Sequence, residues 1–176
     1  MSVSKDIKEK EQHFSNKLFL TKKLILKISC ERSRSKLLKY IAENVSNIFD
    51  ADGSAIYLYN SQLDELTLDT VHNLRLSLVG LRIKADQGLL GKVVKNKKAM
   101  KIDDYRVWSE RAKVFEEDQY RALLEAPIIW EDNLFGLIGL VRTGNSEPFS
   151  DFDLHLHSIL AIQVGALLAN LESKDK

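Results

Sequence analysis

Apolar positions recur along this chain with two different periods, and the switches between them mark out its elements. Residues 3–29 contain no Pro or Gly, and Phe14, Leu18, Thr21, Ile25 and Ile28 follow one another at steps of four and three. That spacing predicts one long helix with a narrow apolar stripe. Two uses of the stripe stay open: a coiled-coil seam with a second copy, or packing against the chain's own domain. Ser33 or Ser35 is placed to cap a second helix running to about Phe49, with Leu37, Leu38, Ile41, Val45, Ile48 and Phe49 on one broad face. Gly53 offers the turn that ends it.

The period then changes to two. Ser54–Asn60 is rich in β-branched and aromatic residues, and Glu65–Val71 alternates polar and apolar, so the pair predicts an antiparallel hairpin across SQLD. Residues 78–84 are a further short strand candidate. Gly88 opens a short helix that turns Leu89, Leu90, Val93 and Val94 inward, and Met100–Ile102 is a short strand. Asp103 to Gln119 is polar and irregular around Tyr105, Trp108 and Phe115, with a short helix expected near 109–117 and a solvated acidic run at Glu116, Glu117 and Asp118. Ala122–Trp130 and Leu134–Arg142 flank the turn Glu131-Asp132-Asn133, the strongest hairpin signal in the chain. Ser150 caps a last helix reaching about Glu172, with Asp151 and Asp153 in the first turn, where negative charge suits the helix dipole. Hairpin strands between terminal helices predict an α+β fold with a central antiparallel sheet. The terminal helices cover one face; the short helix and the 103–119 loop cover the other.

Composition removes several functions. The formal net charge of +1 gives no bulk field for nucleic acid or an anionic membrane. Seven lysines among residues 1–29 read as a solvated helix face. The lone cysteine, Cys30, forms no internal disulfide and no cysteine zinc site, and is expected to be a buried or half-buried thiol. No apolar run is read as a membrane span and the charged N-terminus lacks a signal-peptide core, so a cytoplasmic location is expected; a cytosolic domain of a longer receptor has the same appearance. His155 and His157 lie on opposite sides of the last helix and cannot grip one metal ion together. The pairs Asp151–His155 and Asp153–His157 are expected as helix-surface interactions.

The ordered set Gly88-x-x-Gly91-x-Val93, Ile102-Asp-Asp104, Arg121 through Ala126-Pro127-Ile128, Leu134-Phe-Gly-Leu-Ile-Gly-Leu140 and Phe149-Ser-Asp-Phe-Asp153 resembles the GAF family of small-molecule and signalling modules. The resemblance spans about residues 35–172. It implies a GAF-like, PAS-related fold with a pocket on the loop-covered side of the sheet. The glycines at 88 and 91 suit either a tight turn or an anion at a helix start. Gly136 and Gly139 fall on opposite faces of their strand, one suited to a helix approach and the other to a cavity. Cyclic-nucleotide-binding members carry an Asn-Lys pair and a Phe-x-x-x-Asp-Glu motif; here the first reads Arg142-Thr143 and the final Glu reads Leu154, which disfavours that ligand. An Arg142–Asp153 ion pair is the expected substitute for the lock. Covalent bilin attachment and thiol-based sulfoxide reduction both need cysteines that this domain lacks. No Ser-His-Asp order, phosphate loop or metal motif is present, so no enzyme activity is expected.

Strand alternation puts Leu124, Ala126 and Ile128 on one face, and Leu123, Glu125, Pro127 and Ile129 on the other. Glu125 then points to the loop-covered side, where a carboxylate needs a partner or its pKa rises. Arg121 shares that face ~13 Å away along the strand, far enough to bracket a small ligand with Glu125. Tyr57, on the face shared by Ala55 and Tyr59, joins them, with Leu89 and Val93 from the short helix and Trp108 as a lid. The expected organisation is a helical arm (1–32), the GAF-like domain (33–172) and a tail (173–176). The expected function is non-catalytic sensing. An unidentified small molecule binds, and terminal helices pair in a homodimer through Phe14–Ile28 and Leu156, Leu160, Leu167 and Leu171. The change is relayed to an effector such as a histidine kinase, a cyclase or phosphodiesterase, or a transcription regulator. A dimerisation scaffold with a vestigial pocket is the alternative.

Overall fold

The computed structural model describes residues 2–115 and 119–174, with side chains from residue 7 onward. The elements run α1 (Ser2–Ile28), α2 (Arg34–Ile48), β1 (Gly53–Asn60), β2 (Glu65–His72), β3 (Arg82–Lys84), α3 (Gly88–Asn96), β4 (Met100–Ile102), β5 (Tyr120–Trp130), β6 (Asn133–Thr143) and α4 (Asp151–Glu172). The strands form one six-stranded sheet in the order β3-β2-β1-β6-β5-β4, with every neighbouring pair antiparallel. The expected α+β architecture is present. In the 103–119 region, short 3₁₀ turns occur at Tyr105–Val107 and Lys113–Phe115 in place of the expected helix; the acidic run 116–118 lies outside the described residues.

Period-two alternation divides the molecule into two cores. Ala122, Leu124, Ala126 and Ile128 of β5 pack with Leu37, Ile41 and Val45 of α2 and with Leu160, Val164 and Leu168 of α4. On the other face Ala55, Tyr57, Leu123, Leu137 and Val141 pack with Leu89, Leu90 and Val93 of α3 and with Tyr105 and Phe115 from the following loop. A glycine permits the close approach of α4 to the sheet. A Cβ on Gly165 would lie 2.6 Å from the carbonyl carbon of Ile129, a separation real side chains do not tolerate. The approach expected of a β6 glycine is thus supplied from the helix, while Gly136 sits against the Tyr57 backbone of β1.

Several expectations are corrected at the helix ends. Ser33 caps α2, but the left-handed residue after it is Asp50, with φ 49°, not Gly53; Asp is one of the few non-glycine residues that visit this region routinely. Gly53 instead starts β1, where a Cβ would strike Leu74. Cys30 is exposed at the end of α1, because the helix turns its apolar side elsewhere. The face that α1 presents to its own domain carries Lys17, Thr21, Leu24 and Ile28. Of the expected dimer stripe, Ile28 is therefore core, as are Leu156 and Leu160 of α4. Among the described residues, the large apolar side chains exposed on these helices are Ile7, Leu18, Phe19 and Leu26 of α1 and Ile159 and Ile162 of α4.

Lys17 was expected outside but is only 3% exposed. Its Nζ lies 2.8 Å from Asp153 Oδ1 and 3.2 Å from Asp50 Oδ2, so two carboxylates neutralise it. Asp153 does not pair with Arg142. It completes a capping box with Ser150. Arg142 instead donates to four backbone carbonyls, those of Phe49 (2.7 Å), Asp50 (3.1 Å), Glu147 (2.8 Å) and Pro148 (3.0 Å). His157 is likewise no surface residue: it is fully buried. Burial lowers its pKa to about 4, which keeps the ring neutral so that its Nε2–H can donate to Ile138 O at 2.9 Å. His155 Nδ1 meets the backbone oxygen of Asp151, not its carboxylate.

By length and composition α4 is apolar enough to cross a membrane, contrary to expectation. Part of its apolar content is buried in the domain core, through Leu156, Leu160, Val164 and Leu168, while Ile159 and Ile162 are exposed.

Candidate functional site

The sheet face opposite the terminal helices floors a small cavity. Its floor carries Ala55 and Tyr57 of β1, Leu123 and Glu125 of β5, and Gly139 and Val141 of β6; α3 contributes Leu89 and Leu90. The cover includes Leu74 and Leu78, from the connection after β2, and Tyr105, Ala112 and Phe115, from the connection after β4. The cavity volume is about 30 Å³, room for one or two water molecules. Its wall is apolar apart from Glu125, Gln87 and the tyrosine hydroxyls.

Glu125 is the chemically distinctive group. Its side chain is 4% exposed, and Oε2 has no hydrogen-bond partner among the described residues. Burial alone raises its pKa from 4.5 to about 8, since removing a carboxylate from water favours the neutral acid. Across the ladder it pairs with Gly139 on one side and Met100 on the other. A Cβ at Gly139 would come to 2.7 Å from Oε2, so the glycine is what leaves space for the carboxyl group. Gly139→Ala is expected to lower stability by about 1–3 kcal/mol, read from the urea midpoint at pH 6. Unchanged stability would mean that Glu125 has another place to go.

The other sequence-selected residues divide between the wall and its surroundings. Tyr57 and Leu89 line the cavity with Glu125. Val93 is buried one helical turn further on, in the same apolar cluster. Trp108 is half-buried outside the lining, its ring 5.7 Å from that of Tyr105 and 5.5 Å from Lys92 Nζ. Arg121 does not face Glu125. It donates to the backbone oxygen of Asp103 and pairs with Asp104 Oδ2 at 3.2 Å, tying the cover to β5. Hydrogen bonding from the Arg106 side chain, with the Arg106 N–H and the charges of both arginines, holds the Asp104 carboxyl down to about 2.

Sequence reasoning missed Leu74 and Leu78 as cover: the strand expected over 78–84 covers only Arg82–Lys84, and Leu76–Leu78 is a 3₁₀ turn. It noted Tyr105 and Phe115 as bulky loop residues without assigning them to the wall. Tyr105 is held in place by an acceptor role: its hydroxyl takes the Ala112 N–H at 3.1 Å. The glycines at the start of α3 serve the turn. Gly88 has φ 58°, and a Cβ on Gly91 would run into the Asp86 backbone. No group of His, Cys, Asp and Glu among the described residues is arranged to hold a metal ion.

Residues 33–168 match the GAF domain family. The chain is a GAF domain protein. Among solved structures, the GAF domain of a phosphoenolpyruvate-protein phosphotransferase from Coxiella burnetii superposes with a TM-score of 0.83 at 21% identity, covering 92% of this chain and 98% of that one. The corresponding GAF domain from Acinetobacter gives 0.79 at 16% identity, over 90% and 96%. A free methionine-R-sulfoxide reductase from Neisseria meningitidis, solved with its substrate, gives 0.79 at 13% identity, over 92% and 93%. At these identities the likeness concerns the fold, which hosts both regulatory and catalytic proteins. No curated protein sequence matches the chain.

Proposed function

We propose that this GAF domain is a non-catalytic, cytoplasmic sensory module. A small molecule occupies the cavity between sheet and cover, and the terminal helices of a homodimer pass the change to an effector domain. The observation that carries this reading is Glu125: an ionisable group buried on the cavity wall, with Oε2 left without a partner among the described residues. Structural economy alone would not keep such a group, whose burial costs free energy unless something meets it. Residues 33–172 form the sensor in this proposal, and residues 1–32 are the arm that carries the signal. The effector is a histidine kinase, cyclase, phosphodiesterase or transcription regulator. Coupling requires the ligand to favour one helix arrangement over another.

The small volume of the cavity favours a second reading, a dimerisation scaffold whose pocket is vestigial. Native mass spectrometry separates the two. A sensor co-purifies with, or acquires from cell extract, a bound small molecule that is lost in Ala55→Leu, a change that fills the floor. A scaffold shows the bare mass in both proteins.

Dimerisation has its own test. Leu18 and Ile159 are 51% and 54% exposed, so Leu18→Lys and Ile159→Lys leave the core intact. Light scattering is expected to show a wild-type dimer and monomeric variants with unchanged circular dichroism. A wild-type monomer at ~50 µM, within the range of weak non-obligate association, would remove the dimer from the proposal.

A further inference from the structure

We propose that the cavity is built for a small organic cation, a primary ammonium group carrying a short apolar tail. The inference rests on the reading of the cavity as a ligand site and adds the chemical class.

The first argument is charge. The carboxyl group of Glu125 is the sole acidic or basic side chain lining the cavity among the described residues. The other titratable groups on the wall are Tyr57 from β1, Tyr105 from the cover and Tyr120 from β5; β6 and α3 bring no charged side chain to it. An anionic ligand would find no cationic side chain on the wall itself, Arg111 lying against the Tyr105 ring at 5.3 Å from its centroid, and would sit beside an acid. A neutral ligand would leave Glu125 a neutral acid. A cation changes the balance: it turns the buried group into a carboxylate with a partner, so the cost of ionising the acid is offset by an ion pair in a dry site.

The second argument is the surrounding surface. Four aromatic residues, Tyr57, Tyr105, Phe115 and Tyr120, line the same cavity. Aromatic rings attract cations most strongly when both are out of water, while the aliphatic wall suits a hydrocarbon tail. One carboxylate as acceptor, within an aromatic and aliphatic lining, is the surface that an alkylammonium donor needs.

The third argument is access. About 30 Å³ admits water but no alkyl chain, so the tail must displace the cover. Besides the burial of Tyr105, Ala112 and Phe115 and the Arg121 hydrogen bond to Asp103 O, the side-chain ion pairs that tie the cover down are Lys92–Glu110 at 2.6 Å and Arg121–Asp104 at 3.2 Å, both reached by water. Such pairs contribute little each, so the cover can shift while the sheet ladder holds.

The test is isothermal titration calorimetry on the full chain with n-butylammonium, 1-butanol and butyrate, in wild type, Glu125→Gln and Ala55→Leu. The expected result is binding of n-butylammonium, at least tenfold weaker binding of 1-butanol, and none of butyrate. Glu125→Gln should weaken the ammonium at least tenfold, and Ala55→Leu should abolish it. Because Glu125 is mostly protonated at pH 7, the ammonium should expel close to one proton, seen as a dependence of the heat on buffer ionisation enthalpy. Its affinity should rise about tenfold from pH 7 to pH 9. If 1-butanol or butyrate binds as well as the ammonium, and Glu125→Gln changes nothing, the cation class is wrong while the cavity stands as a ligand site. If none of the three binds wild type, the cation class is overturned, and the native mass spectra decide separately whether the cavity holds anything else.

Discussion

Glu125→Gln should stabilise the protein by roughly 4 kcal/mol at pH 8 to 9 while leaving stability at pH 5 nearly unchanged. In the folded state burial raises the acid to about 8, against 4.5 when exposed. A raised carboxyl pKa gives stability that is fully present below 4.5 and is lost as pH climbs through 8, because the unfolded chain releases its proton first. Each unit of that gap corresponds to ~1.4 kcal/mol. Glutamine has nearly the same shape and stays neutral, so its urea midpoint should lack the decline between pH 5 and 8 that this acid imposes on wild type. Parallel wild-type and variant curves over this range would show that Glu125 finds a partner in solution. The variant also serves as a well-folded control for the binding experiment, since the change removes a buried ionisable group and little packing.

Lys17→Met should cost about 3–5 kcal/mol, the typical penalty for removing one partner of a buried ion pair. Methionine restores much of the volume, so the loss reports charge. The stranded group is Asp153. Burial pushes its pKa up, but Lys17 and the Ser150 N–H and hydroxyl outweigh burial, and the net shift is downward. A lowered carboxyl pKa gives stability that is present above the unfolded value and is lost as pH falls through the folded one. The variant should therefore lose most near neutrality and converge on wild type in acid. Asp153→Asn keeps an acceptor for the cap, so Lys17→Met/Asp153→Asn should be less damaging than the two single changes summed. Additive effects, or a loss below ~1 kcal/mol for Lys17→Met, the range of an exposed pair, would mean that the pair is solvated.

Periodicity made most of this architecture legible. The hairpin β5–β6, the Ser150 cap and the faces of β5 all follow from local rules, because neighbours in sequence are neighbours across a turn or along a helix face. The side of the sheet that Glu125 occupies was legible for the same reason. What stayed hidden depends on distant residues. Lys17 looks like one more solvated lysine until Asp50 and Asp153 are brought beside it. Arg142 offers a charge that suggests a carboxylate, yet its partners are backbone carbonyls that no residue type advertises. Arg121 shares a strand with Glu125, but the connection after β4 captures it. The 73–81 connection covers the cavity without any repeating pattern to betray it.

The four-carbonyl grip of Arg142 has a mechanical corollary. It belongs to the strand that carries Gly139, only three positions away or ~10 Å of extended backbone, and it clasps both the tail of α2 and the approach to α4. Lys17 fastens α1 to the same corner. The cover reaches the chain just past this strand through Arg106, which donates to Gly144 O at 3.4 Å, while the corner itself joins β6 to α1, α2 and α4.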